Sequence, residues 1–362
     1  MKADGDPLDG EMPSVPVVRV GKVDLQCLEV GGNPFHGISY VGPGNADSLR
    51  RRFSERRQLE EVVGEALRQG VATFSISPRC YDAEFNSIFF DAIRSAAEAG
   101  GGVEISAVPW MNIEHALEFP SGLDREAVFA TPCSASAELS GLDADDFAAR
   151  FLSDPLLEGI SRYERLLPDL GRYGLEQVWA RMQSSSGGGL DETVVRFRGE
   201  VVRRELEELP FDMFRVPMAR PGGHVTDVLA ALGRLDILGE YADVVRERVP
   251  SVMFSTHFSG ITVPLLDDTG VGCDGYVVPV NRLGALMWPT KADVEAAVVG
   301  TERPVFAIKP LAGGYAIGRE SFDYVFGSVG VDGALVGVSS VEEAHSSLGE
   351  ARRILLTLRS CR

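Results

Sequence analysis

The sequence has few cysteines and no long hydrophobic run. Its five cysteines are scattered and include no Cys-x-x-Cys pair, so neither a disulfide framework nor a structural zinc site is indicated. They are Cys27, Cys80, Cys133, Cys273 and Cys361. No apolar run approaches the roughly 18 residues that a membrane-spanning helix needs. The start of the chain is polar and proline-rich, without the apolar core of a signal peptide, so we expect a disordered tail over residues 1–20 of a cytoplasmic protein.

Positive charge is also scarce. The chain carries 35 Lys and Arg residues against 53 Asp and Glu residues, for a net charge of −18 and a pI of about 4.8. This balance opposes binding to a phosphate backbone, so nucleic acid is not an expected partner. With 362 residues, 44% of them hydrophobic, the chain can bury one large core, and single-domain α/β barrels reach this size.

Eight short apolar runs, each followed by a polar loop, are candidate strands. They are Leu28–Asn33, Ala72–Ser77, Val103–Pro109, Met213–Met218, Val252–Phe258, Gly275–Asn281, Val305–Lys309 and Ala334–Val338. Helical patterns lie between them, for example Leu59–Arg68, Asp82–Ala99, Val225–Leu232 and Lys291–Val299. Strict alternation implies parallel pairing, and eight repeats predict a closed (β/α)8 TIM barrel over residues 21–362. A doubly wound open sheet is the alternative, but no G-x-G-x-x-G follows the first strand.

The connection after the third strand is far longer than the others. Residues 112–190 leave the repeat and contain three amphipathic patterns, Asp143–Phe151, Leu156–Leu167 and Leu175–Met182. The repeat resumes with a charged helix over Val194–Leu209. Since this loop lies on the face where barrel active sites form, the insertion predicts a helical lid over the mouth. The alternative is a contact between copies in a homo-oligomer.

Six motifs in order along this pattern resemble the aldo-keto reductase superfamily. They are Ala66–Phe74, Leu206–Asp212, Ser255–Phe258, Val278–Asn281, Lys309–Gly314 and Val336–Ser340. The resemblance covers nearly the whole chain outside the tail and the insertion. It implies a (β/α)8 barrel and descent from reductases that use a nicotinamide nucleotide.

The sequence departs from the catalytic Asp, Tyr, Lys and His that the resemblance implies. The position of the Asp holds Ser75, that of the Lys falls on Val108 or its neighbours, and that of the His falls on Pro217 or Met218. Tyr81 lies one residue beyond the spacing of the tyrosine. Without a neighbouring cation, a tyrosine keeps a pKa near ~10 and is a poor acid–base catalyst at neutral pH. We therefore expect that standard hydride transfer is lost.

The nucleotide-binding positions are only partly kept. Gly313, Gly314, Ser339 and Ser340 could hold a pyrophosphate through backbone N–H groups. The family's Glu-Asn pair near the adenine corresponds to Ser346–Ser347, however, and its nicotinamide-contacting Gln falls on Val277. We expect no cofactor, with NAD(P) held by the four Gly and Ser residues as the alternative.

Histidines follow several of the strands. His36, His224 and His257 come after the first, fourth and fifth strands, His115 follows the third, and His345 lies in the last helix. Imidazoles at different strand ends can converge as an acid–base pair or as metal ligands. Hydrogen bonding to loop carbonyls is the plainer alternative. The sequence has no H-x-H or H-E-x-x-H spacing, so it predicts no metal site.

Four cationic side chains are placed near strand ends. Arg79 follows the second strand, Arg220 is expected in the loop after the fourth, Arg282 follows the sixth, and Lys309 ends the seventh. Together they predict a cationic mouth that suits a small anionic substrate. Lys309 could form a Schiff base or bind a carboxylate or phosphate, and the resemblance favours the second role. Surface pairing with nearby acids is the alternative.

Three further residues complete the predicted substrate site. Trp110 and Asn112 stand at the base of the predicted lid, and Asn281 follows the sixth strand. An aromatic ring there could line a pocket, although anchoring the lid is an equal alternative for Trp110.

The sequence therefore predicts acid–base chemistry of the lyase, isomerase or cyclase type on a small anionic metabolite. His257 is paired with His36 or Tyr81 in this interpretation, and Lys309, Arg79 and His224 contact the substrate. A divergent NAD(P)-dependent reductase that uses Tyr81 or a histidine as proton donor is the first alternative. A ligand-binding barrel without catalysis is the second.

Overall fold

A computed structural model describes residues 14–77, 83–111, 113–118, 141–157 and 195–360. The strands within these ranges are β1 (Val17–Val20), β2 (Val23–Gln26), β3 (Leu28–Gly31), β4 (Thr73–Ile76), β5 (Ser106–Met111), β6 (Leu117–Glu118), β7 (Arg196–Phe197), β8 (Met218–Pro221), β9 (Ser251–Ser255), β10 (Gly275–Pro279), β11 (Val305–Ile308) and β12 (Gly333–Gly337). Eight of them, β3, β4, β5 and β8 to β12, pair in parallel and in chain order to form a closed barrel. The predicted (β/α)8 barrel is confirmed.

Helices separate successive barrel strands. They are α1 (Pro43–Phe53), α2 (Arg56–Arg68), α3 (Ala83–Ala99), α4 (Ala144–Leu152), α5 (Gly199–Glu207), α6 (Gly223–Ala231), α7 (Leu235–Arg246), α8 (Ser259–Thr269), α9 (Lys291–Gly300), α10 (Arg319–Phe322), α11 (Val341–Glu343) and α12 (Gly349–Ser360). In the ranges that the structure describes, none of the helices combines the length and apolarity needed to cross a bilayer.

Helix α2 shows how the sequence produces the outer layer. Its apolar residues recur at helical spacing, so Leu59, Val62, Val63, Ala66 and Leu67 are all buried on one face. Each large side chain buried in this way contributes about 1.5–3 kcal/mol. The predicted helix Leu59–Arg68 is thus confirmed, with one additional turn at its start.

The fourth barrel strand is not where the sequence predicts it. The predicted strand was Met213–Met218, whereas β8 spans Met218–Pro221, and Arg215 forms only an isolated bridge with Ser106. Pro217 has no N–H to donate to a ladder, so the predicted run Met213–Met218 does not continue through it as a central strand. The run is buried nevertheless, because Phe214 and Val216 belong to the hydrophobic core. Arg220 is consequently part of a strand and not of a loop.

A hairpin closes the amino end of the barrel. β1 and β2 pair in antiparallel fashion, and Val20, Val23 and Leu25 pack against side chains inside the barrel. Those side chains are Val108, Met218, Met253, Val277, Phe306 and Leu335. The disordered tail predicted over residues 1–20 is too long at its end, because β1 begins at Val17. Residues 1–13 lie outside the described ranges.

The two ends of the insertion leave the barrel side by side. β6 pairs in antiparallel fashion with β7, and Arg198 lies 3.2 Å from the Glu118 carboxylate. Between these strands the structure describes residues 141–157, which contain α4. The prediction of a helix over Asp143–Phe151 is confirmed, since α4 spans Ala144–Leu152. The patterns Leu156–Leu167 and Leu175–Met182 fall largely outside the described ranges.

The described part of the insertion packs on loops at the carboxyl end of the barrel. Phe147, Phe151, Leu156 and Leu157 form one buried cluster with residues of the loops that follow β9, β10 and β11. Those residues are Phe258, Ala285, Leu286, Trp288, Ala312 and Ala316. Residues 141–157 thus lie over one side of the mouth, and a lid role for the whole insertion stays a prediction.

Candidate active site at the barrel mouth

Two histidines are stacked at the carboxyl ends of β8 and β9. His224 lies in the first turn of α6 and His257 lies two residues beyond β9. Their ring centroids are 4.8 Å apart and their planes are inclined by 25°. The residues are 8% and 7% exposed. The fold therefore brings together two imidazoles that are 33 residues apart in the sequence.

Two glycines make room for this arrangement. An ideal Cβ on Gly223 would lie 3.0 Å from Nδ1 of His257, and one on Gly222 would lie 3.1 Å from Nε1 of Trp110. Both distances are shorter than ordinary van der Waals contact. The Pro-Gly-Gly-His run therefore allows the backbone to approach Trp110 and His257 closely.

His257 is a neutral imidazole at physiological pH. Burial lowers its pKa well below the usual value, and the charges of Lys309 and His224 lower that pKa further. Its Nδ1 atom is buried and has no hydrogen-bond partner among the residues that the structure describes. A neutral imidazole can accept a proton, as a general base must.

Asp227 fixes the backbone that carries His257. Its carboxylate is 1% exposed and accepts hydrogen bonds from the N–H groups of His257 at 2.8 Å and Phe258 at 3.4 Å. The hydroxyl groups of Thr262 at 3.0 Å and of Thr256 also donate to it. Burial raises the pKa of Asp227 to about 7, although these hydrogen bonds act to lower it. The sequence analysis missed this residue, although an aspartate within the apolar helix α6 is a signal that could have found it.

Lys309 shares the mouth with the histidine pair. It directly follows β11 and has a left-handed backbone with φ of 55°, which is uncommon for a residue other than glycine. Its Nζ lies 5.1 Å from the ring centroid of Tyr40, and its charge acts on His257. Among the described residues, no carboxylate forms an ion pair with this ammonium group. It is placed to bind an anion.

Asp154 brings a carboxylate from the insertion to the same mouth. It accepts hydrogen bonds from the N–H groups of Leu156 at 2.9 Å and Leu286, and from the side chain of Trp288. Burial raises its pKa, while these contacts and the charge of Lys309 oppose the shift. The sequence analysis missed Asp154, because nothing in the local pattern shows that a loop after α4 reaches the barrel.

Arg220 points into the barrel and is neutralised there. It is 3% exposed and donates to Glu29, itself 1% exposed, through both terminal nitrogens, one of the contacts being 3.0 Å. The same guanidinium donates to Ser75 at 2.7 Å. The prediction of a loop cation is therefore wrong, because the displaced strand carries Arg220 inward. The buried carboxylate of Glu29 neutralises the positive charge of the Arg220 guanidinium.

Two other predicted contacts lie near the mouth with different partners. Asn281 is 0% exposed and exchanges two hydrogen bonds with the backbone of Ala285, at 2.9 and 3.0 Å. It thereby shapes the loop after β10. The Arg282 side chain is 41% exposed and lies 4.0 Å from Glu320, at the outer edge of the same loop.

His36 packs separately from the stacked pair. Its ring centroid is 5.0 Å from that of Phe85 and 5.9 Å from that of Phe89, both on α3. Burial lowers its pKa to about 4. The structure therefore stacks His224, and not His36, on His257.

The remaining predicted residues divide into two groups. His115 and His345 are exposed, and His345 contacts Glu65 at 2.8 Å. Arg79, Tyr81 and Asn112 lie outside the described ranges, so their predicted roles stay predictions. In the part of the chain that the structure describes, no group of three His, Cys, Asp or Glu residues could hold a metal ion.

Ser339, in the loop after β12, is one of the residues predicted to donate to a pyrophosphate. The N–H and the hydroxyl of Ser339 both donate to the Glu343 carboxylate at 2.8 Å, and Ser340 accepts from the Glu343 N–H at 3.2 Å. A carboxylate thus occupies the two Ser339 donors that a phosphate would need. Gly313 and Gly314 have left-handed φ values of 64° and 104°, which leaves the loop after β11 as the better part of the predicted nucleotide site.

No family model matches the sequence, and no curated protein matches it. The chain is similar to solved structures of aldo-keto reductases. A protein assigned as one from Pseudomonas aeruginosa is 14% identical with a TM-score of 0.49, over 94% of this chain and 95% of that chain. One from Brucella melitensis is 9% identical with a TM-score of 0.42, over 94% and 100%. A thermostable aldo-keto reductase in complex with the inhibitor epalrestat is 10% identical with a TM-score of 0.41, over 95% and 100%.

Proposed function

We propose that this barrel transfers protons on a small anionic metabolite without a nicotinamide nucleotide, as lyases and isomerases do. The stacking of His224 on His257 carries the proposal, because it places a neutral imidazole beside a second one, at the end of the barrel that holds Lys309. Sites with perturbed histidines and a nearby cation are suited to acid–base catalysis.

The side chains divide the work as follows. Lys309 holds an oxygen of the substrate and stabilises the negative charge that develops there. His257 removes a proton from the adjacent carbon and becomes an imidazolium. Because burial lowers the pKa of His257, the imidazolium gives up that proton readily, either to another carbon or to a leaving oxygen. Asp227 keeps the ring in place through the His257 N–H, and His224 packs against it.

Proton exchange with solvent tests this proposal without knowledge of the product. Purified protein is incubated in D2O with a library of small keto acids, hydroxy acids and their phosphates, and deuterium uptake is measured by mass spectrometry. We expect uptake into one compound class, and a loss of about a hundredfold or more in His257→Asn, the scale of general base catalysis. His115→Asn, a change at an exposed histidine, serves as the control and should retain uptake. Equal uptake by the His257→Asn and wild-type proteins would overturn the proposal.

A divergent NAD(P)-dependent reductase is the second candidate. The left-handed glycines Gly313 and Gly314 and the resemblance of the six motifs favour it, whereas Glu343 at the Ser339 donors opposes it. The positions that correspond to the family's Asp, Lys and His hold Ser75, Val108 or its neighbours, and Pro217 or Met218, which supply no carboxylate, ammonium or imidazole. Fluorescence titration with NADH and NADPH separates the two candidates, since micromolar binding of either nucleotide would favour the reductase.

A further inference from the structure

The ring of His257 lacks the hydrogen bond that usually orients a catalytic imidazole. Such a ring is commonly fixed by a hydrogen bond from Nδ1 to a carbonyl or a carboxylate. Nδ1 of His257 is buried, and it has no hydrogen-bond partner among the residues that the structure describes. The bonds to Asp227 hold the backbone N–H of His257 and not its ring. The orientation of the ring therefore depends on the groups that pack against it.

Helix α6 and the loop after β10 both pack against this ring. From α6, the His224 ring centroid lies 4.8 Å away, and an ideal Cβ on Gly223 would lie 3.0 Å from Nδ1. From the loop after β10, the Trp288 ring centroid lies 6.4 Å away, with its plane inclined by 48°. Trp288 is 4% exposed. The position of the ring thus depends on a side chain outside the histidine pair.

The backbone of Trp288 is tied to the loop that carries His257. The Trp288 N–H donates to the His257 carbonyl at 3.4 Å, and the Trp288 carbonyl accepts from the Gly260 N–H at 3.1 Å. The Trp288 ring also packs on Phe258, with centroids 4.8 Å apart. Because these contacts join the two loops, a displacement of Trp288 also displaces His257.

Residues 141–157 hold Trp288 from the other direction along the chain. The Phe151 ring centroid is 4.6 Å from that of Trp288, and the indole N–H of Trp288 donates to Asp154. The Asp154 carboxylate also accepts from the N–H of Leu286 and, at 2.9 Å, from that of Leu156. This part of the insertion therefore grips the loop after β10 at Leu286 and at Trp288.

We propose that Trp288 is a positioning residue that orients the ring of His257 for proton transfer. Phe151 and Asp154 keep Trp288 in that position, so residues 141–157 orient the base in addition to lying over one side of the mouth. This inference rests on the proposed function and names a further part of its machinery. A displacement of about 1 Å at a reacting group can lower a rate about a hundredfold, so even a small shift of Trp288 has a functional consequence.

Histidine NMR signals report the position of His257 without a substrate. The chain has five histidines, and His257→Asn identifies the Cε1–H signal of His257 in protein labelled with 13C-histidine. We expect Asp154→Ala to shift this signal. It should also titrate at a higher pH, because burial is the largest of the effects that lower the pKa of His257 and looser packing admits water. The signal of His36, which packs on α3, should stay in place.

Three further variants separate positioning from a general loss of stability. Asp154→Asn keeps one acceptor oxygen for the backbone donors, so its His257 signal should lie closer to that of the wild-type protein. Phe151→Leu leaves Asp154 intact and should shift the His257 signal too, which keeps the test informative if Asp154→Ala folds poorly. Arg150→Ala, at an exposed site next to Phe151 on α4, is the matched control and should leave the signal unchanged.

Deuterium uptake connects the position of the ring with its function. We expect Asp154→Ala and Phe151→Leu to lower the maximal rate of uptake by about tenfold, with a smaller change in the substrate concentration at half-maximal rate, since a misplaced base affects the reaction step. An unshifted His257 signal in both variants would overturn the proposal. Absence of uptake in the wild-type protein would contradict the proposed function alone, because the NMR measurement does not depend on catalysis.

Discussion

At the scale of single residues, Gly223 controls how closely the two histidines pack. Alanine at the start of α6 would suit the helix, but its Cβ would lie 3.0 Å from Nδ1 and 3.2 Å from Cε1 of His257. We expect Gly223→Ala to cost about 1–3 kcal/mol of unfolding free energy, as overpacking does, and to shift the NMR signals of the His257 ring.

Gly239 provides the matched control for this substitution. It lies in α7 and an added Cβ would meet nothing within 4 Å, so Gly239→Ala should stabilise the protein by up to about 1 kcal/mol. Both variants are compared by urea denaturation. If Gly223→Ala is as stable as Gly239→Ala and leaves the His257 signals in place, the close approach is not a constraint.

His36 makes stability depend on pH. Its pKa falls from 6.5 in the unfolded chain to about 4 in the folded protein, so between these values the unfolded state binds more protons. The contribution of the neutral His36 side chain to the free energy of unfolding is therefore fully present above pH 6.5 and is lost as the pH falls. We expect His36→Gln to reduce the loss of unfolding free energy between pH 7 and pH 5 by about 2 kcal/mol.

Urea denaturation at the two pH values measures this difference. His115→Gln is the control, because His115 is exposed and should leave the pH dependence as it is in the wild-type protein. An identical decrease in the His36 and His115 variants would mean that His36 is protonated in the folded state. Folding lowers the pKa of His257 as well. The decrease in unfolding free energy of the wild-type protein between pH 7 and pH 5 should therefore exceed the part assigned to His36.

The mouth residues that could be predicted from the sequence follow barrel strands, and those that were missed do not. His224, His257 and Lys309 could be named because each follows a strand, and parallel strands end at one face. Asp227 and Asp154 could not be named from this rule, since one lies within a helix and the other within the insertion. Their roles depend on which backbone N–H groups face them, and such contacts exist only after the chain has folded.

At the scale of elements, the displaced fourth strand changes the meaning of Arg220. The buried pair with Glu29 is costly to break, because an uncompensated charge would remain inside the barrel. We expect Arg220→Met to lower the unfolding free energy by roughly 3–5 kcal/mol. The double variant Glu29→Met with Arg220→Met should recover most of that loss, since it leaves no buried charge.

An exposed ion pair serves as the comparison for the buried pair of Arg220 and Glu29. Arg203 and Glu247 contact each other at 2.7 Å with side chains that are 50% and 47% exposed, so Arg203→Met should cost no more than about 1 kcal/mol. Urea denaturation of the wild-type protein and the three variants gives the losses of unfolding free energy that are compared. Equal losses in Arg220→Met and Arg203→Met would show that burial of the first pair has no energetic consequence.

The alternating pattern was sufficient to predict most barrel elements. Seven strands lie where the apolar runs predicted them, because each run is short, rich in β-branched residues and followed by a polar loop. The run Met213–Met218 satisfied the same rule, but only its last residue, Met218, belongs to a barrel strand. Apolarity reports burial, and it does not distinguish a barrel strand from a core segment that precedes one.

At the scale of the whole molecule, the barrel is covered at its amino end by the β1–β2 hairpin. The hairpin matters because the interior side chains that it covers are apolar and would otherwise contact water. A charge introduced on its inner face would be buried without a partner, which costs several kcal/mol. The mouth depends on this closure, since β8 and β9 carry both the covered Met218 and Met253 and the segments leading to the histidine pair.

Two valines of β1 allow the effect of burial to be measured apart from the effect of strand pairing. Val20 is 0% exposed and Val17 is 52% exposed, although both pair with β2. We expect Val20→Asp to lower the unfolding free energy by about 3 kcal/mol or more, with the thermal midpoint falling accordingly. Val17→Asp should change it by less than about 0.5 kcal/mol, as surface substitutions do. Similar midpoints for the two variants would mean that the hairpin does not seal the barrel, and the interior would then have to be stabilised by the eight strands and their helices alone.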